Sequence, residues 1–189
     1  MKIEAIVGSN KRLSYNRKLL QFMKNHFTGD EIHINEIKDF PMFNENYPDG
    51  EKDHDPELVT ELAERIEAAD AVIIGCPEYN HSVPSALKSV IEWLSYRIHP
   101  LHGKPIMIVG ASIHPQGSSR SQTHLREILD SPGVFAEVFP GNEFFLGTAK
   151  TAFDEDGELI NQGTVGFLEQ CFEGFKKFAT EIDDFNGVK

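Results

Sequence analysis

Residues 71–94 read AVIIGCPEYNHSVPSALKSVIEWL and contain a strand, a loop and a helix in succession. The uninterrupted apolar run at 71–76 is typical of a strand that is buried on both faces of a parallel sheet. Pro84 is suited to the first turn of a helix, and apolar residues then recur at helical spacing to about residue 95. The stretch therefore predicts one β-α unit, whose loop leaves the carboxyl end of a buried strand.

The same alternation continues on both sides of this unit. Apolar runs and alternating patterns predict five strands, at 2–8, 31–37, 71–76, 104–111 and 134–146. Helical spacing predicts five helices, at about 14–27, 57–69, 84–95, 118–130 and 162–182. Strands that alternate with helices indicate an α/β protein with helices on both faces of the sheet. We expect a three-layer sandwich around a five-stranded parallel sheet, formed by residues 1–189 as a single domain.

Composition and charge argue against several classes of partner. The chain carries 18 Lys and Arg against 30 Asp and Glu, a formal net charge of −12, and such a surface repels nucleic acid and anionic membranes. Its apolar runs are far shorter than the ~20 residues that cross a bilayer. No signal peptide precedes the first strand, so we expect a cytoplasmic protein. Cys76 and Cys171 are too few for a disulfide framework and are expected to pack in the core.

The first loop, residues 8–16, has the composition of an anion site. It reads GSNKRLSYN and leads directly into the first predicted helix, whose N-terminus adds free N–H groups and a favourable dipole. Gly8 permits a close turn, and short polar side chains follow it at Ser9, Ser14 and Asn16. Four cations stand within eight residues that contain no acid: Lys11, Arg12, Arg17 and Lys18. These features predict a phosphate site. A plain helix cap surrounded by solvated charges is the alternative.

The motifs of several common folds are absent from the sequence. No G-x-G-x-x-G follows the first strand and no G-x-x-x-x-G-K-[ST] occurs, which disfavours a dinucleotide-binding domain and a P-loop nucleotidase. The G-x-S-x-G elbow of serine hydrolases is also missing. His99 and His102 lie in a loop without a nearby carboxylate and make a poor metal site. The first loop is therefore best suited to the phosphate of a mononucleotide.

Two motifs resemble those of the NAD(P)H-dependent FMN reductase family. The chain has Gly-Ser-x-x-x-x-Ser-x-Asn from Gly8 to Asn16, and Pro-Glu-Tyr-Asn-x-x-x-Pro-x-x-Leu-Lys-x-x-Ile-x-Trp from Pro77 to Trp93. The resemblance covers about residues 1–130. It implies a flavodoxin-like fold, FMN as the cofactor and NADPH or NADH as the co-substrate. Members of that family include flavin, azo-dye, quinone and chromate reductases.

The resemblance also implies which residues hold the cofactor. The FMN phosphate would be bound by Ser9, Lys11, Ser14 and Asn16. The family usually has arginine where Lys11 stands, and lysine keeps the charge but lacks the planar fork of donors. The neighbouring Arg12 is therefore a further candidate for the phosphate.

Two further loops would contact the flavin ring. The second loop, residues 76–84, would do so with Pro77, Glu78, Tyr79 and Asn80, and members of the family use the backbone amides of this loop for the contact. Without the resemblance, a proline-bounded turn that caps a helix is the simpler interpretation of this loop. The third loop, residues 111–121, would face the pyrimidine edge of the ring with Ser112 and Gly117, whereas Ile113 and His114 depart from the family pattern. His114 is a candidate to stabilise the reduced ring, and a solvated loop histidine is the alternative.

We therefore expect an FMN-dependent NAD(P)H oxidoreductase that passes hydride to bound FMN and on to a flavin, quinone, azo or metal-oxyanion acceptor. Positioning and amide dipoles would provide the catalysis, with no acid–base side chain. A flavodoxin-type electron carrier without NAD(P)H oxidation is the first alternative, and a phosphate-binding α/β protein without flavin is the second. The choice between NADH and NADPH, the final acceptor, and whether FMN is a prosthetic group or a co-substrate stay open.

The predicted helix at 84–95 is apolar on more than one side, since Val90, Ile91, Trp93 and Leu94 are close together. A helix that is too apolar for a single buried face often has a second burial site. Members of the family commonly dimerise through this helix. We therefore expect a homodimer, or a dimer of dimers, in which the segment at 40–48 reaches toward the flavin of the partner.

Overall fold

The structure is a computed structural model that describes residues 1–47 and 55–187 of the chain. Its strands are β1 (Lys2–Val7), β2 (Glu31–Glu36), β3 (Ala71–Gly75), β4 (Pro105–Ala111), β5 (Glu137–Val138) and β6 (Phe144–Leu146). Its helices are α1 (Tyr15–His26), α2 (Glu57–Glu67), α3 (Ser85–Tyr96), α4 (Ser119–Leu129) and α5 (Gln162–Gly187). Pro48 and the middle of the irregular loop between β2 and α2 lie outside the described residues.

All the strands are parallel, in the order β2-β1-β3-β4-β5, with β6 also pairing with β4. This is the flavodoxin-like strand order, in which the chain reverses direction across the sheet between β1 and β3. The expected α/β sandwich with five strand positions is confirmed. The predicted strand at 134–146 is divided, because β5 pairs with the start of β4 and β6 with its end. Pro140 lies in the gap and has no N–H group to donate to β4.

The sheet separates two apolar cores. On one face, α1 and α5 cover alternate strand residues such as Ile3 and Met107. On the other face, α2, α3 and α4 cover residues such as Ile6 and Ile108. Because both faces are covered, β3 and β4 are buried along their whole length, as the apolar runs indicated. Within the described residues, no helix combines the length and apolar character needed to cross a bilayer.

The second apolar side of α3 is covered by residues 40–47 of the same chain. The Trp93 side chain is fully buried, and its Nε1–H donates to the Pro41 carbonyl oxygen at 2.9 Å. The Phe43 ring packs edge-on against the Trp93 ring at 4.9 Å between centroids, and the Phe43 N–H donates to Ser89 Oγ at 2.6 Å. The apolar excess from which the sequence predicted a partner is thus largely buried within the chain itself.

Candidate functional site

The three loops singled out in the sequence meet at the carboxyl ends of β1, β3 and β4. In open parallel sheets, ligands bind at this edge beside the reversal of strand order. Gly8 lies at the reversal, where its N–H donates to the Gly75 carbonyl oxygen at 2.9 Å. A Cβ at residue 8 would lie 2.6 Å from that oxygen, so the close approach of the two strand ends requires glycine.

Two adjoining cavities form one groove along this edge. The smaller cavity, about 260 Å³, is lined by the first loop and by Pro77, Glu78 and Tyr79. The larger cavity, about 460 Å³, is lined mainly by the second and third loops. The cavities share Glu78, Ser112 and His114, so they are continuous. The larger cavity is in the range of small-molecule sites, about 300 to 1,000 Å³, and the smaller one lies just below it.

The groove brings together most of the residues predicted from the sequence. The smaller cavity is lined by Ser9, Lys11, Ser14, Asn16, Pro77, Glu78, Tyr79 and Ser112, and the larger one by Glu78, Asn80, Ser112 and Gly117. Arg12 lines neither cavity. Sequence reasoning missed Leu13 and Arg120, which line the smaller and the larger cavity. Leu13 is 71% exposed, and an apolar side chain in an otherwise polar loop was the available signal for it.

The first loop presents a helix N-terminus to the smaller cavity. Ser14 is the N-cap of α1, and its Oγ accepts a hydrogen bond from the Arg17 N–H at 3.4 Å. The Ser9 Oγ accepts from the Lys11 N–H at 3.2 Å, which forms a local turn at the start of the loop. The first turn of α1 contains no acidic residue. The positive end of the helix is therefore available for an anion in the cavity.

Arg17 is a structural part of the first loop. Its guanidinium forms an ion pair with Glu36 at the end of β2, and the hydrogen bond to this carboxylate raises the pKa of Arg17 above its usual value. The same group donates to the carbonyl oxygens of Lys11, at 3.3 Å, and Arg12, at 2.6 Å. The cluster of four cations predicted from the sequence therefore carries less unbalanced charge than expected, because Glu36 balances the charge of Arg17. Lys11 and Arg12 make no ion pair with any residue of 1–47 or 55–183.

Asn16 connects the first loop to the end of β4. Its side chain is 2% exposed, with Oδ1 accepting from the Ala111 N–H at 2.9 Å and Nδ2 donating to the Ala111 carbonyl oxygen at 3.0 Å. Both polar atoms of the amide are therefore used to join α1 to the third loop. Asn16 also lines the smaller cavity, so its predicted contact with the phosphate stays a prediction.

We expect Asn16→Ala to lower the free energy of unfolding by about 2 kcal/mol, because it leaves the N–H and carbonyl groups of Ala111 buried without partners. Asn16→Asp keeps an acceptor for the N–H but places a negative oxygen beside the carbonyl, so it should be no better tolerated. Denaturant unfolding monitored by circular dichroism measures both. A loss below about 0.5 kcal/mol in the alanine variant would show that this bridge does not hold the two loops together.

The second loop is a tight hairpin at the rim of the groove. The N–H of Tyr79 donates to the Ser82 carbonyl oxygen at 3.1 Å, and the N–H of Ser82 donates back to Tyr79 at 3.0 Å. Asn80 and His81 between them have φ of 50° and 63°, as a type I′ turn requires. Asparagine accepts this conformation easily, whereas histidine adopts it less often. The turn holds the Tyr79 ring, 45% exposed, at the edge of the smaller cavity.

Cys76 lies directly behind this loop and is not a reactive thiol. It is fully buried, and burial raises the pKa of its thiol to about 12. Its Sγ lies 3.6 Å from Ser121 Oγ. Since the thiolate is the nucleophilic form of cysteine, a group that stays protonated at neutral pH contributes packing and not redox chemistry.

The third loop is fixed in place by its backbone. Gly117 has φ of +68°, and a Cβ there would lie 2.7 Å from the Phe145 Cβ, so the position requires glycine. The His114 carbonyl oxygen accepts from the N–H groups of Gly117 and Thr148, at 3.2 and 3.3 Å. The His114 side chain is exposed and lies where the two cavities join. The loop therefore presents a restrained backbone to the groove together with an imidazole at its centre.

Fold and groove together define a class. The chain is a flavodoxin-like α/β protein whose ligand groove has a helix N-terminus and a lysine at one end. Apolar side chains follow at the rim, where Leu13, Tyr79 and Ile113 are 71%, 45% and 56% exposed. The larger, polar cavity is at the other end. This order suits a ligand with an anionic group, an aromatic ring and a polar far edge.

Comparison with known proteins identifies the family. The family model described as NADPH-dependent FMN reductase matches residues 1–151. NADH:(hydroxy)cinnamate reductase subunit CrdA of Vibrio ruber is 45% identical over 183 residues, which cover 96% of this chain and 89% of the relative. NADH-dependent flavin reductase subunit 2 of Lactobacillus johnsonii is 42% identical over 188 residues, which cover 96% and 98%. The solved structure of FerB, a flavoenzyme NAD(P)H:(acceptor) oxidoreductase from Paracoccus denitrificans, has a TM-score of 0.82 at 28% identity and covers 95% of this chain and 97% of that one.

The chain belongs to the NADPH-dependent FMN reductase family. It is an oxidoreductase with FMN as its cofactor and NAD(P)H as its co-substrate. The expectation drawn from the two sequence motifs is confirmed at this level. The family model ends at residue 151, which extends the resemblance beyond residue 130 through β6.

The residues of the groove fit FMN. At the first loop the smaller cavity offers the hydroxyl groups of Ser9 and Ser14, a lysine and a helix N-terminus, a donor set that suits a phosphate. The exposed apolar rim suits the isoalloxazine ring, and the polar larger cavity suits the oxygen and nitrogen atoms of its pyrimidine edge. No acidic side chain except Glu78 lines either cavity among the described residues, and that carboxylate is already hydrogen-bonded to α4. The site therefore does not repel the phosphate.

Proposed function

We propose that the groove holds FMN with its phosphate in the first loop and its ring between the second and third loops, and that NAD(P)H and a small oxidised acceptor use the open side of the ring in turn. The observation that carries this proposal is the polarity of the groove, cationic and hydroxyl-lined at the first loop and apolar at the rim. A ligand bound in the reverse direction would place its phosphate at α4, where Glu78 already stands.

In this proposal the chain's own residues bind and orient the cofactor. Ser9, Ser14 and Lys11 donate hydrogen bonds to the phosphate, and the dipole of α1 adds to their effect. The backbone N–H groups of Glu78 and Asn80 serve the polar edge of the ring, whereas the Tyr79 N–H already donates to the Ser82 carbonyl oxygen. When bound, FMN would supply the redox chemistry, which is hydride transfer from NAD(P)H and electron transfer to the acceptor. No general acid or base is assigned, since positioning and fixed dipoles are sufficient for hydride transfer.

The acceptor we propose is a small aromatic or conjugated molecule, with free flavin and quinones as the first candidates. The rim side chains Leu13, Tyr79 and Ile113 are exposed and apolar, so they can contact a planar ring without a specific hydrogen-bond pattern. Such a rim selects weakly among azo compounds, quinones and flavins. Preference between NADH and NADPH is left to measurement.

A second candidate is delivery of electrons to a partner subunit. Two relatives at 45% and 42% identity are named as subunits of a cinnamate reductase and of a flavin reductase. A protein partner that docks on the exposed rim would take electrons from the same groove. Turnover of NADH with free quinone or free flavin by the isolated chain supports the first candidate. NADH oxidation that needs a second protein favours delivery of electrons to a partner subunit. Bound FMN that is reduced by a protein partner but not by NAD(P)H would indicate a flavodoxin-type carrier.

The first test is spectroscopic. We expect the purified protein reconstituted with FMN to lose its absorption near the usual flavin bands when NADH or NADPH is added without oxygen, and to regain it when a quinone follows. The two nicotinamides, compared at equal concentration, give the coenzyme preference. Protein that binds no FMN under these conditions would overturn the proposed function.

We also propose that the chain is a homodimer and that it works in the cytoplasm. Met42 and Tyr96, at 63% and 44% exposure, flank Phe43 and leave an apolar patch over α3 and the segment at 40–47. This patch is what remains for a partner after the chain has covered most of α3. Sedimentation of a monomer at micromolar concentration would contradict the dimer. Two buried free cysteines and the use of NAD(P)H are consistent with a reducing compartment.

A further inference from the structure

The helix α4 begins without a cap from its own sequence. The Ser118 side chain makes no capping hydrogen bond, because its Oγ accepts instead from Gln122 Nε2 at 3.1 Å. The cap comes from the second loop. Glu78 Oε2 accepts from the N–H groups of Arg120, at 3.1 Å, and Ser121, at 3.4 Å.

Glu78 makes a further contact with the same helix. Its Oε1 lies 3.6 Å from Arg120 Nη1, and the Glu78 side chain is only 13% exposed. A carboxylate at a helix N-terminus is stabilised both by the free N–H groups and by the helix dipole. The second loop is thus joined to the start of α4 by three interactions of one side chain. Since α4 directly follows the third loop, this side chain links the second loop to the third, beside a contact of Ser82 Oγ with His124 Nδ1 on α4 at 3.1 Å.

We propose that Glu78 is a positioning residue for the flavin ring, acting through the reach of its side chain to the start of α4. The inference rests on the proposed function, because the ring is placed between the two loops that Glu78 joins. Glu78 lines both cavities, so a shift of its carboxylate changes the groove at the point where they meet. A cap lost at this point lets the second loop move relative to the third.

Three variants separate length from charge. Glu78→Gln keeps the length and an acceptor oxygen, and it removes the charge. Glu78→Asp keeps the charge and withdraws the carboxylate by one methylene. Glu78→Ala removes both. Glu92→Gln and Glu92→Ala are the matched controls, since Glu92 forms an exposed ion pair with Lys88 on α3 and lines neither cavity.

The measurement is the dissociation constant of riboflavin and of FMN by fluorescence quenching, with thermal melts to confirm that each variant is folded. We expect Glu78→Ala to weaken both ligands about tenfold, equal to about 1.4 kcal/mol, and Glu78→Asp to weaken both about fivefold. Glu78→Gln should stay within about threefold of the wild type, and the Glu92 variants should bind normally. Riboflavin lacks the phosphate, so its response reports on the ring end alone.

Two results would overturn the inference while leaving the proposed function intact. One is wild-type affinity for riboflavin in Glu78→Asp and Glu78→Ala. The other is a loss in Glu78→Gln as large as that in Glu78→Ala, with Glu78→Asp unaffected, which would assign the role to charge. If the wild-type protein binds neither ligand, the proposed function itself fails and this inference fails with it.

Discussion

Replacing Lys11 and Ser14 together by alanine should weaken FMN binding about a hundredfold and leave riboflavin binding nearly unchanged. A charge-assisted hydrogen bond from lysine is worth about 1.5–3 kcal/mol and a hydroxyl donor about 1 kcal/mol. A loss near 2.7 kcal/mol corresponds to two orders of magnitude in the dissociation constant. Both side chains line the smaller cavity, and Lys11 has no acidic partner within the described residues.

The single variants Lys11→Ala and Ser14→Ala show how much each side chain contributes to the affinity for FMN. Ser14→Ala also removes the N-cap of α1, which costs about 1 kcal/mol of stability, so its melting curve is measured alongside the binding. Lys18→Ala is the matched control, because Lys18 carries the same charge on α1 just after the first loop, lies over the Phe153 ring at 5.9 Å and lines neither cavity. Unchanged flavin content in the Lys11 and Ser14 double variant would place the phosphate elsewhere. A larger loss in Arg12→Ala than in Lys11→Ala would move it outside the smaller cavity.

The parts of the fold that were predictable are those encoded by neighbours in the sequence. The run at 71–76 and the helical spacing after Pro84 gave β3 and α3 nearly to the residue. The divided strand at 134–146 was not foreseen, although Pro140 and Gly141 were visible in it. Apolar residues on both sides of this pair have the same strand-like pattern, and only the pairing with β4 shows that the ladder is interrupted.

The candidate site follows the same division. The first and second loops were found because their polar residues are contiguous and follow strands. The side-chain contacts within the site join residues far apart in the chain, which no local pattern reveals. Glu36 neutralises Arg17 from the end of β2, Asn16 bridges to Ala111 across 95 positions, and Glu78 caps a helix that begins 41 residues later. Sequence reasoning therefore identified which residues line the groove better than what their side chains do.

The covering of α3 is the clearest case of a long-range contact that changed an interpretation. Phe43 and Tyr47 both pack edge-on against the Trp93 ring, at 4.9 and 5.6 Å between centroids. The sequence shows that the helix at 84–95 is apolar on more than one side, and we expected a second chain to cover the additional side. In the structure the segment at 40–47 covers most of the apolar surface of α3. The proposed dimer therefore depends on the exposed patch that remains at Met42 and Tyr96.

Trp93→Ala should lower the free energy of unfolding by about 4 kcal/mol, because it removes a large, fully buried side chain and leaves a cavity between α3 and the segment at 40–47. For a chain of this size each kcal/mol shifts the melting temperature by roughly 2–4 °C, so a decrease of about 12 °C is expected. The remaining folded protein should bind FMN normally, since Trp93 lines neither cavity.

Trp93→Phe divides this loss into packing and hydrogen bonding. Phenylalanine keeps an aromatic ring for Phe43 and Tyr47 but has no donor for the Pro41 carbonyl oxygen, so a loss of about 1–2 kcal/mol is expected. Melting curves at two protein concentrations then test whether α3 is covered by the same chain or by a partner chain. A segment from the same chain predicts a decrease that is independent of concentration, whereas a decrease that grows on dilution would show that a partner chain completes this face.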